Sequence, residues 1–129
     1  MSKLSKRDVD LLKETHIAFL ATINRDGSPQ VTPVWVDTDG EAVLANTVKG
    51  RLKELNIRRD PRVALVVVDP SKPFERKVVV RGKAKLEERG AKEHIDALAK
   101  KYLGVDEYPF LQPGDVRIKV IIDPERVGG

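Results

Sequence analysis

The side chains whose type and spacing could do chemistry are basic. Lys49, Arg51, Lys53, Arg58, Arg59 and Arg62 crowd residues 49–62 and are opposed there only by Glu54 and Asp60. Such a run reads either as a solvated helix face beside a turn or as a site for a phosphate or polyanion. The anion reading has a concrete form. If a strand ends near Thr47 and a helix starts near Gly50, backbone N–H groups around Lys49 to Lys53 and the helix dipole attract negative charge. Arg51 and Lys53 add charge, Thr47 a hydroxyl, and Gly50 room for close approach. No aromatic residues interleave with the basic ones for base stacking, so nucleic acid is not expected as a partner.

Few other reactive groups exist. Cysteine is absent, which removes disulfides, thiol nucleophiles, Cys-based zinc sites and iron–sulfur clusters. The two histidines, His16 and His94, lie too far apart for a metal-binding spacing, so no metal site is expected. Ser5, Ser28 and Ser71 lack the context of an activated nucleophile. His94 reads as a surface or interface residue and His16 as structural. No catalytic residue is assigned; a chain this poor in reactive groups binds a ligand or houses a cofactor that carries the reaction.

The elements that must position these residues follow from patterning. Ser5-Lys6-Arg7-Asp8 has the form of a helix cap, followed by Val9, Leu11 and Leu12 on one side of a short helix. The apolar run His16 to Asn24 and the alternating run Pro29 to Val36 flank the turn Arg25-Asp26-Gly27-Ser28. A second turn, Asp37 to Gly40, leads to Glu41–Thr47, so the first three strands read as an antiparallel meander. A helix around Leu52, Leu55 and Ile57 ends at Asp60-Pro61. Arg62 to Asp69 is apolar and β-branched, as in a strand buried on both faces. In Lys77 to Leu86, Gly82 marks a bulge or bend.

Ala91, Ile95, Leu98, Ala99 and Tyr102 form one face of a helix closed by Gly104. An aromatic loop, Asp106 to Gly114, precedes a last strand, Val116–Ile122. Six strands with attached helices predict a mainly β protein, an antiparallel β-barrel.

The chain has 129 residues and a net charge of +4, as expected of one domain spanning residues 1–129. No apolar stretch approaches the roughly 18 to 20 residues of a membrane span. The charged start, Met1 to Asp8, lacks the apolar core of a secretory signal, which implies a cytoplasmic protein.

Several segments together resemble a known family: Ala21-Thr22-Ile23; Asp26 through Trp35; Lys49-Gly50-Arg51-Leu52-Lys53; Asn56 through Val63; Val80 through Ala84; His94 through Tyr102; and Tyr108-Pro109-Phe110 before Pro113 through Arg117. Their order is similar to that of the pyridoxamine 5′-phosphate oxidase-like, FMN-binding split-barrel flavoproteins, and within them to the flavin and deazaflavin oxidoreductases that use coenzyme F420. The resemblance implies a homodimer with a cofactor at each subunit junction. It places Gln30, Thr32, Pro33 and Val34 along the cofactor ring and Asn46 and Thr47 beside the ribityl chain. Arg51 and Lys53 fall on the phosphate with Lys49 nearby, Asn56 braces the structure, and Tyr108 and Phe110 close the pocket from the partner subunit.

The activity it implies is hydride transfer between F420 and a small unsaturated or quinone-like acceptor. FMN is the alternative cofactor, and a non-catalytic carrier of FMN, F420 or haem the alternative function. The chain is shorter than the pyridoxamine phosphate oxidases proper and lacks their C-terminal extension, which argues against pyridoxamine phosphate as substrate.

Overall fold

A computed structural model describes residues 3–128. The elements run in the order α1 (Lys6–Lys13), β1 (Ala18–Ile23), β2 (Pro29–Val34), β3 (Asp37–Thr38), β4 (Val43–Val48), α2 (Leu52–Arg59), β5 (Arg62–Val68), β6 (Lys77–Glu87), α3 (Ala91–Leu103) and β7 (Arg117–Val127). The cap of α1 forms as its sequence requires. The Asp8 N–H donates to the Ser5 hydroxyl at 3.1 Å, and the Ser5 N–H to the Asp8 carboxylate at 2.8 Å.

All strands join one antiparallel sheet in the order β2-β1-β5-β6-β7-β4-β3, curled into a half-barrel. There are seven strands rather than the expected six, because Asp37–Thr38 pairs with β4 (Asp37↔Leu44, Thr38↔Val43) instead of serving only as a turn. A ladder of two residues is too short to show alternation in a sequence. The expected three-strand meander does not form either. β2 pairs with β1 alone, while β4 lies across the molecule against β7, from Val43↔Ile122 to Val48↔Arg117. Pro29 and Pro33, four positions apart, strip one side of β2 of donors, which suits that strand to an edge. The last strand runs to Val127, beyond its expected end at Ile122.

The core holds Leu12, Leu20, Leu65, Val67, Val78, Val80, Val120 and Ile122, each nearly or wholly buried. β5 is not buried on both faces: Val63, Leu65 and Val67 point inward, and Ala64, Val66 and Val68 are half-buried on the outer face. Gly82 fills its expected role. The β6–β7 register shifts between Arg81 and Gly82, and a side chain at Gly82 would run into the Asp123 carbonyl. Among the described residues no helix is long and apolar enough to cross a membrane.

The half-barrel leaves a seam where β2 and the β3–β4 edge fail to meet. α3 is fastened near it by its C-terminal residues. The Tyr102 hydroxyl donates to the His16 carbonyl at 2.6 Å and accepts the Val36 N–H at 3.0 Å. The Lys101 ammonium donates to the Leu12 and Val36 carbonyls, each at 2.6 Å. Ile95, Leu98 and Ala99 supply the buried face of the helix.

Candidate functional site

Strands β2 and β4 approach the seam from opposite ends of the sheet, and between them opens a cavity of about 340 Å³. Pro33, Val34 and Trp35 line it from one side, Asn46 and Thr47 from the other. Arg51 and Lys53 at the start of α2, Ile95 and Leu98 of α3, Tyr108 and Phe110 of the following loop, and Ile17 and Arg117 complete it. No acidic residue is among them.

The aromatic side chains form a connected wall. Trp35 stacks on Tyr102 with ring centres 5.2 Å apart and meets Tyr108 edge-on at 6.0 Å; Tyr108 meets Phe110 edge-on at 5.6 Å. Tyr108 and Phe110 thus reach the cavity of their own chain, where the sequence reading assigned them to a partner's pocket.

The cations differ in setting. Arg51 is exposed, Lys53 half-buried and Arg117 only 8% exposed. Burial, then the charges of Arg51 and Arg117, pushes the Lys53 ammonium below its ordinary pKa. Burial also pushes the Arg117 guanidinium down, with a smaller contribution from Arg51 in the same direction and an opposing one from Tyr108. An anionic ligand relieves this strain among like charges.

A buried polar chain lies behind Arg117. Its Nε donates to Asn46 Oδ1 at 2.8 Å, and Asn46 Nδ2 donates to the Ala91 carbonyl and to His94 Nδ1, each at 3.0 Å. This network fixes the Asn46 amide and makes His94 Nδ1 an acceptor, so the imidazole proton belongs on Nε2. Burial first, and the charge of Lys119 second, lowers the His94 pKa to about 4, so the ring is neutral at pH 7. His94, expected at the surface or at an interface, is half-buried behind Asn46. Two buried hydroxyls, of Thr32 and Thr47, and His94 Nε2 have no partner among the described residues. Of these groups, Thr47 belongs to the cavity wall.

The start of α2 differs from the simple helix-dipole expectation. Gly50 adopts a left-handed φ of +95°, and its N–H donates to Glu54 Oε1 at 2.7 Å. Glu54 is 1% exposed and also pairs with Arg58. The protein therefore supplies its own anion there, and Arg58 is taken out of the set available to a ligand. What remains for an anion are the side chains of Arg51 and Lys53, joined by Arg117.

Among the other residues assigned from sequence, Gln30, Thr32 and Lys49 lie outside the cavity wall. Gln30 accepts the Thr22 hydroxyl at 3.1 Å, and Lys49 is exposed. Asn56, fully buried, donates to Thr22 Oγ1 at 3.1 Å and Asn24 Oδ1 at 2.9 Å, bracing α2 against the end of β1. Arg117 and Trp35 were missed because each reads as one more residue of a strand. A lone tryptophan directly after Pro33-Val34, and an arginine opening an apolar strand, are the available signals.

Glu14, His16 and Asp69 bring ligand atoms within 4.8 Å of one another. Arg76 already pairs with two of the three, with Nη1 2.6 Å from Asp69 and Nη2 2.8 Å from Glu14. The cluster is an ion-pair network that holds its own cation.

The family described as pyridoxamine 5′-phosphate oxidase matches residues 4–127. Among solved structures, an F420 reductase is 30% identical, with a TM-score of 0.80 over 92% of this chain and 94% of that one. A conserved hypothetical protein of Mycobacterium tuberculosis is 26% identical, with a TM-score of 0.75 over 95% of this chain and 82% of that one. General stress protein 26 of Bacillus anthracis, 17% identical, shares the fold with a TM-score of 0.71 over 95% of this chain and 89% of that one. No curated protein sequence matches at a significant level. With its half-barrel repeated in these structures and nearly its whole length matched, the chain belongs to the pyridoxamine 5′-phosphate oxidase family, whose fold is that of oxidoreductases.

Proposed function

We propose that the protein is an oxidoreductase that binds coenzyme F420 at the seam and transfers hydride between it and a small unsaturated or quinone-like acceptor. The observation that carries this reading is the cavity itself. Arg51 and Lys53 meet there with no acid in the wall, beside a buried Thr47 hydroxyl that lacks a partner among the described residues. That donor set fits a ligand with a phosphate and a polar chain, and the wall of Trp35, Tyr108 and Phe110 fits its flat ring. The likeness to an F420 reductase at 30% identity supports F420 ahead of FMN.

The bound deazaflavin would supply the hydride chemistry. The chain's own residues bind, orient and shield. Arg51 and Lys53 hold the anionic group at the mouth, Thr47 offers a hydroxyl to the polar chain, and the aromatic residues exclude water from one ring face. Placing donor and acceptor in contact supplies most of the rate enhancement in such a site. Gln30, Thr32 and Lys49 complete the proposed set only when a second chain encloses the ligand.

A second copy is part of the proposal. The cavity of about 340 Å³ sits near the lower end of the roughly 300–1,000 Å³ usual for small-molecule sites, too little to enclose a tricyclic ring with its phosphate chain. Beside it the outer sheet face leaves Ile17 44%, Phe19 46% and Val31 60% exposed. Ile17 belongs to both the apolar face and the cavity. A homodimer through this face covers it and closes the site.

Titration of the purified protein with F420 and with FMN, followed by fluorescence, tests the reading. Saturable F420 binding, and oxidation of reduced F420 by a quinone such as menadione, are the expected results. Failure of both cofactors to bind removes the proposal. Binding without turnover of any acceptor leaves the carrier function in its place.

A further inference from the structure

Arg51 and Lys53 stand at the mouth of the cavity, and Arg117 is the most buried of the three cations. It is buried at 8% exposure and makes no ion pair among the described residues. Its guanidinium carbon lies 5.0 Å from the centre of the Tyr108 ring. Its Nε is held by Asn46 Oδ1 at 2.8 Å, and Asn46 is held in turn by the Ala91 carbonyl and His94 Nδ1. Asp115, whose charge reaches Arg117, is engaged by the Gln112 N–H at 2.9 Å. The Nη groups therefore form a fixed planar fork that lacks a carboxylate, in a wall that also carries Trp35 and Phe110.

We propose that Arg117 is the specificity residue of the acceptor site, and that its fork takes the carboxylate of a planar, conjugated acid. This deepens the function proposed above and rests on it. The exposed Arg51 and half-buried Lys53 suit a tetrahedral phosphate that keeps part of its hydration. A buried guanidinium with one face on an aromatic ring suits a flat, delocalised anion, which it can grip through two parallel N–H···O bonds. A carboxylate conjugated to an unsaturated body presents the planar anion that the fork fits and a flat body beside the Tyr108 ring against which Arg117 lies. Asn46 and His94 act as positioning residues: they set the plane of the fork before the ligand arrives.

The test compares two ligands of one shape, trans-cinnamate and trans-cinnamamide, which differ in charge at the carboxyl end. Calorimetry measures their affinity for the purified protein with and without added F420 or FMN. The indole N–H resonance of Trp35, the only tryptophan, reports binding in the cavity. Wild type is expected to prefer cinnamate by roughly tenfold or more, the range of a charge-assisted bidentate contact. In Arg117→Gln this preference disappears, cinnamamide affinity stays within about twofold, and cofactor affinity within about threefold. Arg117→Lys keeps the charge but not the fork, and loses most of the preference; it decides the matter if Arg117→Gln fails to fold.

Equal affinity of wild type for the two ligands overturns the proposal, as does full preference in Arg117→Lys. A tenfold loss of cofactor affinity in Arg117→Gln also overturns it, by assigning the fork to the cofactor. If neither cofactor binds while wild type still prefers cinnamate and Arg117→Gln does not, the cofactor reading and the acceptor role fall together, and Arg117 remains only as a carboxylate-binding residue.

Discussion

Two regions of the molecule concentrate charge, and they do it in opposite ways. Beside α1, near a hollow of about 430 Å³, Arg76 pairs with Glu14 and Asp69, and His16 bonds Glu14 at 2.8 Å. The larger hollow belongs to this region, not to the seam. Across the barrel, Arg117, Lys53 and Arg51 share the seam cavity without an acid in its wall. An arginine that already has its carboxylates is part of the scaffold; one held in place and left without them is shaped for a ligand. The contrast between Arg76 and Arg117 separates structural charge from binding charge more surely than cavity size does.

The largest expected break in this contrast is at the cavity mouth. Replacing Arg51 and Lys53 together by Ala should weaken cofactor binding by roughly a hundredfold or more, since each charge-assisted bond contributes about 1.5–3 kcal/mol. A fluorescence titration checks it, and unchanged affinity would contradict the anion site. Next in size, Arg76→Met should lower Tm and leave cofactor affinity within about twofold, because two carboxylates lose their cation. Arg117→Met should differ in the sign of its Tm change, with Tm of the ligand-free protein unchanged or raised and cofactor affinity within about threefold, since a buried cation without a counter-ion costs stability. Parallel thermal melts of the two variants would show whether the signs differ.

The smallest effects are in pH dependence, and they separate the two regions by window. Hydrogen bonds from Arg76 and then His16 hold the Glu14 carboxyl at about 2, well below its ordinary 4.5. Its contribution is thus complete above about 4.5 and lost as pH falls toward 2. His94 behaves differently: burial lowers it from 6.5 to about 4. Between those values the unfolded chain binds the proton more readily, so stability declines as pH falls from 6.5 to 4 and is level below. Melting curves of His94→Gln should lack the upper decline and keep the lower one, while Glu14→Gln should keep the upper decline and show a shallower lower one, since Asp60 and Asp69 are also held below the ordinary carboxylate range by their hydrogen bonds.

Much of the fold was legible because it is local. The Ser5–Asp8 cap, the amphipathic face of α3 and the bend at Gly82 each depend on residues a few positions apart, or on one side chain that cannot be larger. Strand order was not legible. Whether Glu41–Thr47 pairs with Pro29–Val36 or with Arg117–Ile122 depends on contacts more than 70 residues apart, and alternation looks the same either way. The same limit governs the site. Arg51, Lys53 and Thr47 stood out because they cluster in sequence, whereas Arg117 and Trp35 join them only when the sheet curls. Glu54 and Arg58 looked like charges on a helix surface until burial paired them.

The seam also says when in folding the cavity comes into being. Its wall draws on residues from Ile17 to Arg117, so it is assembled from contacts of high sequence separation, which chains form slowly. A partly folded chain with β5, β6 and β7 paired but α3 unfastened has no cavity for a ligand to recognise. Ligand is therefore expected to slow unfolding and leave the refolding rate unchanged, a split that stopped-flow kinetics with and without cofactor would read directly.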